Sequence, residues 1–338
     1  MSLSQQLAAI KDSAAFAPIS RGFLRVTGPD ATRWLNGMVT NNIKDLAPGQ
    51  GNYNFLLNAQ GRIMGDCTIY REPTEAEPTF LLETDTAQID TIHTLLDKFI
   101  IMDDVELTPV PDLSGVLVAG PHALSIVMAL GTANHQAAPC SPAAQDPLPP
   151  TISLKQTAYA GESVLLIRAH DPVVPRFEIW SDPSTVASIL TELRGTQAIE
   201  MSLEALEAHR ILSGTPLYGT DIRNSDTAKD LPQETAQTHA LHFSKGCYLG
   251  QEIVERIHSR GQVHRTFTRF TLTSESGEPA VPTLPAPLTA SEKPAGELTS
   301  AVLIDGTVYA LGYIRRELFE THAPITYPGG TATPLASK

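Results

Sequence analysis

Phe80-Leu81-Leu82-Glu83-Thr84-Asp85 and Phe177-Glu178-Ile179-Trp180-Ser181-Asp182 are two short alternating runs, each ending in an aspartate. Alternation with a period of two predicts a strand. An aspartate directly ahead of an apolar periodic stretch predicts a helix N-cap. The stretches that follow agree: Ile89, Ile92 and Leu96 after the first run, Val186, Ile189 and Leu193 after the second, each set on one helical face. A second pair lies upstream of each run. Leu24-Arg25-Val26-Thr27-Gly28-Pro29-Asp30-Ala31 resembles Leu117-Val118-Ala119-Gly120-Pro121-His122-Ala123. Both read as a strand, a Gly-Pro turn and a helix start with Pro in the first turn. The order is a Gly-Pro unit, an Asp-capped unit, then both again. Two pseudo-equivalent α+β halves, over about 20–105 and 115–200, account for it.

Outward from the halves, Met1 to Ile10 reads as a short helix, and Ser202 to Leu212 as another, stopped by Gly214-Thr215-Pro216. Residues 219–243 are polar and irregular. Residues 137–150, with five prolines, predict a surface loop. Residues 273–300 suit a long surface connection or irregular barrel edges. Thr299 to Ile314 alternates again around Asp305-Gly306, a hairpin turn signal. The expected division is 1–261, holding both halves, and a small C-terminal β barrel over 262–338.

Length and charge narrow the classes. A chain of 338 residues exceeds one small core. No apolar run approaches the roughly 20 residues that span a bilayer, and the N-terminus lacks a basic region followed by an apolar core. The expectation is a cytoplasmic protein without a membrane partner. Lys and Arg number 24 against 37 Asp and Glu, a formal charge of -13, which argues against strong direct nucleic-acid binding. The three cysteines, Cys67, Cys140 and Cys247, are far apart. They form no zinc ribbon or disulfide framework, and cannot supply four thiolates to a cluster.

Four places can carry chemistry. The first is Lys245-Gly246-Cys247-Tyr248-Leu249-Gly250-Gln251-Glu252. Two glycines permit tight turns or close approach, and a lysine near a thiol raises its thiolate fraction. The same pattern also suits a buried cysteine in a tight turn. The second is Arg256 to Arg269, with Arg256, Arg260, Arg265 and Arg269 and with His258 and His264 between them. It reads as an anion-binding concentration of guanidinium groups or as a solvated, ion-paired face. The third is Asn58-Ala59-Gln60-Gly61-Arg62-Ile63-Met64-Gly65-Asp66, a turn between apolar runs, with Asp66 at a pocket wall or a strand end. The fourth, Thr40-Asn41-Asn42, is a polar pocket edge or a helix-terminating turn. No phosphate-binding loop, His-Glu-x-x-His or Gly-x-Ser-x-Gly is present.

The segment Lys245 to Glu252 resembles the signature of the YgfZ-type folate-binding proteins, cousins of the glycine-cleavage aminomethyltransferase. Further matches are Val26 to Ala31, Leu35, Thr40-Asn41, Pro48-Gly49-Gln50, Leu57-Asn58 with Gly61 and Asp66, and Arg210 to Asp221. Leu231-Pro232-Gln233-Glu234, Thr299-Ser300-Ala301 and Leu311 to Arg316 continue the resemblance over nearly the whole chain.

This resemblance implies a three-lobed α+β ring with a tetrahydrofolate, or a derivative of it, at its centre. It implies folate contacts from Thr40, Asn41, Asp66, Glu234, Lys245, Gln251, Glu252 and Arg256, with Asp66 accepting from the amino edge of the pterin. Cys247 and Lys245 become the catalytic pair. The implied role is support of iron–sulfur enzymes, including tRNA-modifying ones, with client enzymes or cluster-assembly proteins as partners. The other reading is a folate-dependent aminomethyl or methyl transferase, and the resemblance leaves enzyme or accessory protein open. Two departures weigh against glycine-cleavage chemistry. The transferases carry two adjacent acids where this chain has Gly65-Asp66, and a folate-contacting glutamate where it has Leu212.

Overall fold

Both Gly-Pro turns and both aspartate caps fall where the sequence puts them. The computed structural model describes residues 1–73, 77–111, 113–131, 151–225, 229–261, 263–321 and 323–335, and for Arg260 the backbone alone. The 137–150 loop and Cys140 lie outside these residues. Two compact units form: Met1–Asn54 with Asp66–Ser202, and Phe55–Gly65 with the chain from Leu203 onward. The sequence reading divided the chain at 261/262; contacts group the segment from Leu203 with the barrel.

In the first unit, helix α1 (Leu3–Asp12) precedes strands β1 (Ala15–Ile19) and β2 (Gly22–Thr27) and helix α2 (Ala31–Met38). Strands β3 (Gly51–Leu57) and β4 (Ile63–Arg71), whose stretches within Phe55–Gly65 count with the second unit, then β5 (Phe80–Thr84), helix α3 (Ile89–Asp97) and strand β6 (Glu106–Val110) follow. The pattern then repeats as β7 (Ser114–Ala119), α4 (Ala123–Ala129), β8 (Ser153–Tyr159), β9 (Glu162–Ala169), β10 (Arg176–Ser181), α5 (Pro183–Arg194) and the short β11 (Ile199–Glu200).

The repeat is geometric. Gly28 and Gly120 stand at φ +112° and +123°, a region open to glycine. Two residues on, Asp30 N–H donates to the Asp104 carbonyl and His122 N–H to the Ser13 carbonyl. Asp85 caps a single 3-10 turn, Thr86–Gln88, that runs into α3, by accepting from Ala87 N, and Asp182 caps α5 directly by accepting from Ser184 N and Thr185 N.

Sheet order is β3-β4-β5-β2-β6 in one half and β8-β9-β10-β7-β1-β11 in the other. The strand leading into each Gly-Pro strand is therefore exchanged: β1 pairs with β7 and β6 with β2, both antiparallel. The sheets pack through Phe23, Tyr70 and Leu81 of one and Leu154, Ile167 and Trp180 of the other. Phe23 and Trp180 meet edge to face at 4.9 Å. Helices α4 and α5 cover the opposite face of the second sheet through Val127, Val186, Ile189 and Leu193.

In the second unit, helix α6 (Leu203–Ser213) leads to irregular chain with two single 3-10 turns, at Pro232–Glu234 and Thr238–Ala240, then helix α7 (Gln251–Arg260). Strands β12 (Arg265–Ser274), β13 (Ala286–Ala290), β14 (Lys293–Ile304) and β15 (Thr307–Arg315) follow. Helix α8 (Arg316–Thr321) and strands β16 (Thr326–Tyr327) and β17 (Gly330–Leu335) complete it. The six strands close as β12-β15-β14-β13-β16-β17, which leaves no unpaired edge. Phe270, Leu288, Leu298, Val308 and Ile314 fill the interior. Asp305 and Gly306, both at positive φ, make the β14–β15 turn. Buried Asp221 ties α6 to the barrel: it accepts from Arg210 Nη1 (2.5 Å), Leu217 N (2.9 Å), Thr299 Oγ1 (2.5 Å) and Ser300 Oγ (2.7 Å).

Candidate functional site

The chain entering α7 is pinned at two residues and exposed between them. Lys245 is 8% exposed and Tyr248 7%. The ammonium of Lys245 lies 5.0 Å from the centroid of the Tyr248 ring, a cation–π distance. Gly246 and Cys247 face solvent, with open space beside Gly246. Burial lowers the Lys245 ammonium to about 7. Lys245 thus packs on the aromatic ring and anchors the loop two residues ahead of the thiol. Gly250, in the left-handed conformation, is the N-cap of α7 and lies against the Asn58 carbonyl.

Of the two cysteines described, Cys247 is exposed, whereas Cys67 is 2% exposed. Burial, then the charges of Asp66 and Glu83, pushes the Cys67 thiol well up. Cys67 is chemically silent by both criteria.

Asp66, on β4 in the first unit, is half-buried and held by two donors. Tyr53 Oη donates to Oδ2 at 2.5 Å and Gln88 Nε2 to Oδ1 at 2.8 Å. Burial and the adjoining carboxylate raise the Tyr53 phenol well above its ordinary range, so that proton stays on the phenol. A carboxylate accepts about four hydrogen bonds, so Asp66 retains acceptor capacity for an amino group. Asn41 is half-buried; its side-chain amide donates to the Tyr53 carbonyl, and Asn54 Oδ1 accepts from its backbone N–H. Thr40 is fully buried.

The sequence profile described as the GCVT N-terminal domain matches residues 4–236. The chain belongs to this family. The crystal structure of glycine cleavage system aminomethyltransferase T from Bartonella henselae matches with a TM-score of 0.79, covering 99% of this chain and 88% of that one. At 18% identity, that likeness is one of fold. The mitochondrial iron-sulfur cluster assembly factor IBA57 homolog of Neurospora crassa is 28% identical over 276 residues, 78% of this chain and 54% of that protein. The human mitochondrial iron-sulfur cluster assembly factor IBA57 is 29% identical over 269 residues, 75% of this chain and 64% of that protein. The chain spans between about half and under two thirds of these relatives.

On the GCVT-family frame the expected site residues fall into two sets. Thr40, Asn41 and Asp66 belong to the first unit; Glu234, Lys245, Cys247, Gln251, Glu252 and Arg256 belong to the second. Within the second, Glu234 is buried and accepts from Arg265 at 3.0 Å. Gln251 N–H donates to the Tyr248 carbonyl, and exposed Glu252 pairs with exposed Arg256 at 2.8 Å. In the first unit Asn41 and Asp66 are half-buried and Thr40 is buried; in the second Gln251 is half-buried, Glu252 and Arg256 are exposed, and Glu234 and Lys245 are buried.

Among the described side chains of the arginine run, Arg256, Arg265 and Arg269 are each engaged within the chain. Arg265 binds Asp230 (2.5 Å) and Glu234; burial opposes its charge, and these partners outweigh that and raise its pKa. Arg269 donates to the Leu212 carbonyl at 2.9 Å, and His258 stacks on Phe243 at 3.8 Å. These acids lie some 30 residues upstream of Arg265, so local spacing could not pair them. Sequence reading also passed over Tyr53 and Gln88, the partners of Asp66. It missed buried Glu83 and Glu178 as well, which bind Arg21 and Arg176. A glutamate at an inward position of an otherwise apolar strand was the available signal for that pair.

Proposed function

We propose that this chain is a YgfZ-type accessory protein that supports assembly or repair of iron–sulfur enzymes, including tRNA-modifying ones. The observation that carries the reading is the exposed Cys247 on a loop anchored by Lys245 and Tyr248. The names of the curated relatives, iron-sulfur cluster assembly factors, support it. The cluster is cargo. The Cys247 thiolate supplies one transient ligand, and a client enzyme or cluster-assembly protein supplies the rest, since one thiol cannot hold a cluster. The proposed compartment is the cytoplasm; no helix among the described residues is long and apolar enough to cross a membrane. In cells lacking their own copy, expression of this chain should restore the activity of cluster-dependent enzymes. Failure to restore any of them, with the protein present at normal level, sinks the reading.

The proposed ligand is a reduced folate, with Asp66 accepting from the pterin amino edge. Asp66→Asn should weaken tetrahydrofolate binding by about 1.5–3 kcal/mol. Calorimetry with no heat at millimolar tetrahydrofolate would remove the folate from the account. The second reading, a one-carbon transferase, is favoured by the aminomethyltransferase fold together with the fixed Asp66 carboxylate. Its signature is turnover of a methylene donor that Asp66→Asn abolishes and Cys247→Ser leaves intact.

A further inference from the structure

We propose that the turn Asn58–Arg62, in the second unit, is the seat that aims the Cys247 thiol, with Asn58 and Gly61 as its positioning residues. The inference rests on the reading that Cys247 is the working group.

The contact is glycine against glycine. A Cβ on Gly250 would stand 2.5 Å from the Asn58 carbonyl oxygen, 3.0 Å from Leu57 Cβ and 3.2 Å from Gly61 Cα. A Cβ on Gly61 would stand 2.7 Å from Ile253 Cβ and 3.0 Å from its Cγ2. Both glycines have positive φ, +82° and +69°. Neither side of the contact tolerates a side chain, so the start of α7 and the turn fix each other.

The turn itself is held firmly. Asn58 Oδ1 accepts from Gln60 N and Arg62 N, both at 3.0 Å, as in an Asx turn. Gly61 N donates to the Asn58 carbonyl at 2.9 Å. On the far side, Arg62 Nη1 donates to the Lys229 carbonyl (2.7 Å) and Ile63 N to the Asp230 carbonyl (3.1 Å). The loop carrying Cys247 thus has two fixed points: the Lys245–Tyr248 clasp and Gly250 on its seat. Held at both points, Cys247 leaves the chain at one place rather than from a wandering loop.

The test reads thiol chemistry in the purified full chain, apart from cluster function. Alkylation rates of Cys247 are measured against pH, with Cys67 as the internal control. Asn58→Ala removes the acceptor that shapes the turn. It should slow alkylation of Cys247 at pH 7 by ~3-fold or more, because the thiol is no longer held in one direction toward solvent. Asn58→Ser, whose hydroxyl makes the same turn more weakly, should recover most of the rate. Gly61→Ala should act in the direction of Asn58→Ala. If it does not fold, the Asn58 pair still decides. Folded Asn58→Ala with the wild-type rate would show that the turn is packing alone. That result leaves the role of Cys247 itself untouched, because the role is judged by complementation.

Discussion

Burial holds the Lys245 ammonium at about 7, against an ordinary 10.5. Between those values the unfolded chain carries a proton that the folded chain does not, so folding stability rises with pH across that window. The contribution is complete above pH 10.5 and is lost as pH falls through about 7. Lys245→Met keeps the apolar stem and removes the charge. Denaturation measured from pH 7 to pH 10 should show a flatter pH dependence for the variant than for wild type; equal slopes would mean that Lys245 is solvated. The motif residues were legible in the sequence, but the direction of each side chain was not. Two positions of separation from Cys247 do not reveal the ring contact, in which the Lys245 ammonium lies 5.0 Å from the Tyr248 centroid. Asp66 was legible as an acid beside a turn. Its donors Tyr53 and Gln88 were not, because they arrive from β3 and from the turn before α3.

The elements follow from local chemistry. Asp182 accepts from two backbone N–H groups and two hydroxyls at the start of α5, whereas Asp85 accepts from one backbone N–H. Asp182→Ala should therefore lower the melting temperature more than Asp85→Ala, and calorimetric scans of the two variants would decide. Gly115 faces the Trp180 ring so closely that a Cβ there would overlap it. Gly115→Ala should cost about 1–3 kcal/mol in denaturant unfolding as the ring is displaced. Turn and cap signals made the duplicated halves readable, since each lies within a few consecutive residues. The exchange of β1 and β6 between the sheets was not readable. Both are short strands, and either sheet offers an antiparallel neighbour of the same hand, so the choice is made by packing at a distance.

At the scale of the molecule, the α+β halves and the closed barrel were legible, the barrel through the Asp305-Gly306 turn and the alternation around it. The linkage of α6 to that barrel was not, because Arg210, Asp221 and Ser300 are separated by 11 and 79 residues. Asp221 is fully buried and takes four hydrogen bonds. Asp221→Ala leaves Arg210 paired with Glu207 but takes the acceptor from buried Thr299 and Ser300, and should cost about 1–3 kcal/mol by chemical denaturation. A loss near zero would show that solvent replaces the carboxylate. The central claim concerns the thiol that this scaffold presents. Its most direct measurement compares wild type with Cys247→Ser, a nearly isosteric change, in cells lacking their own copy, reading the activity of a cluster-dependent enzyme at matched protein level and matched melting temperature. The account predicts rescue by wild type and none by Cys247→Ser; full rescue by Cys247→Ser would contradict it.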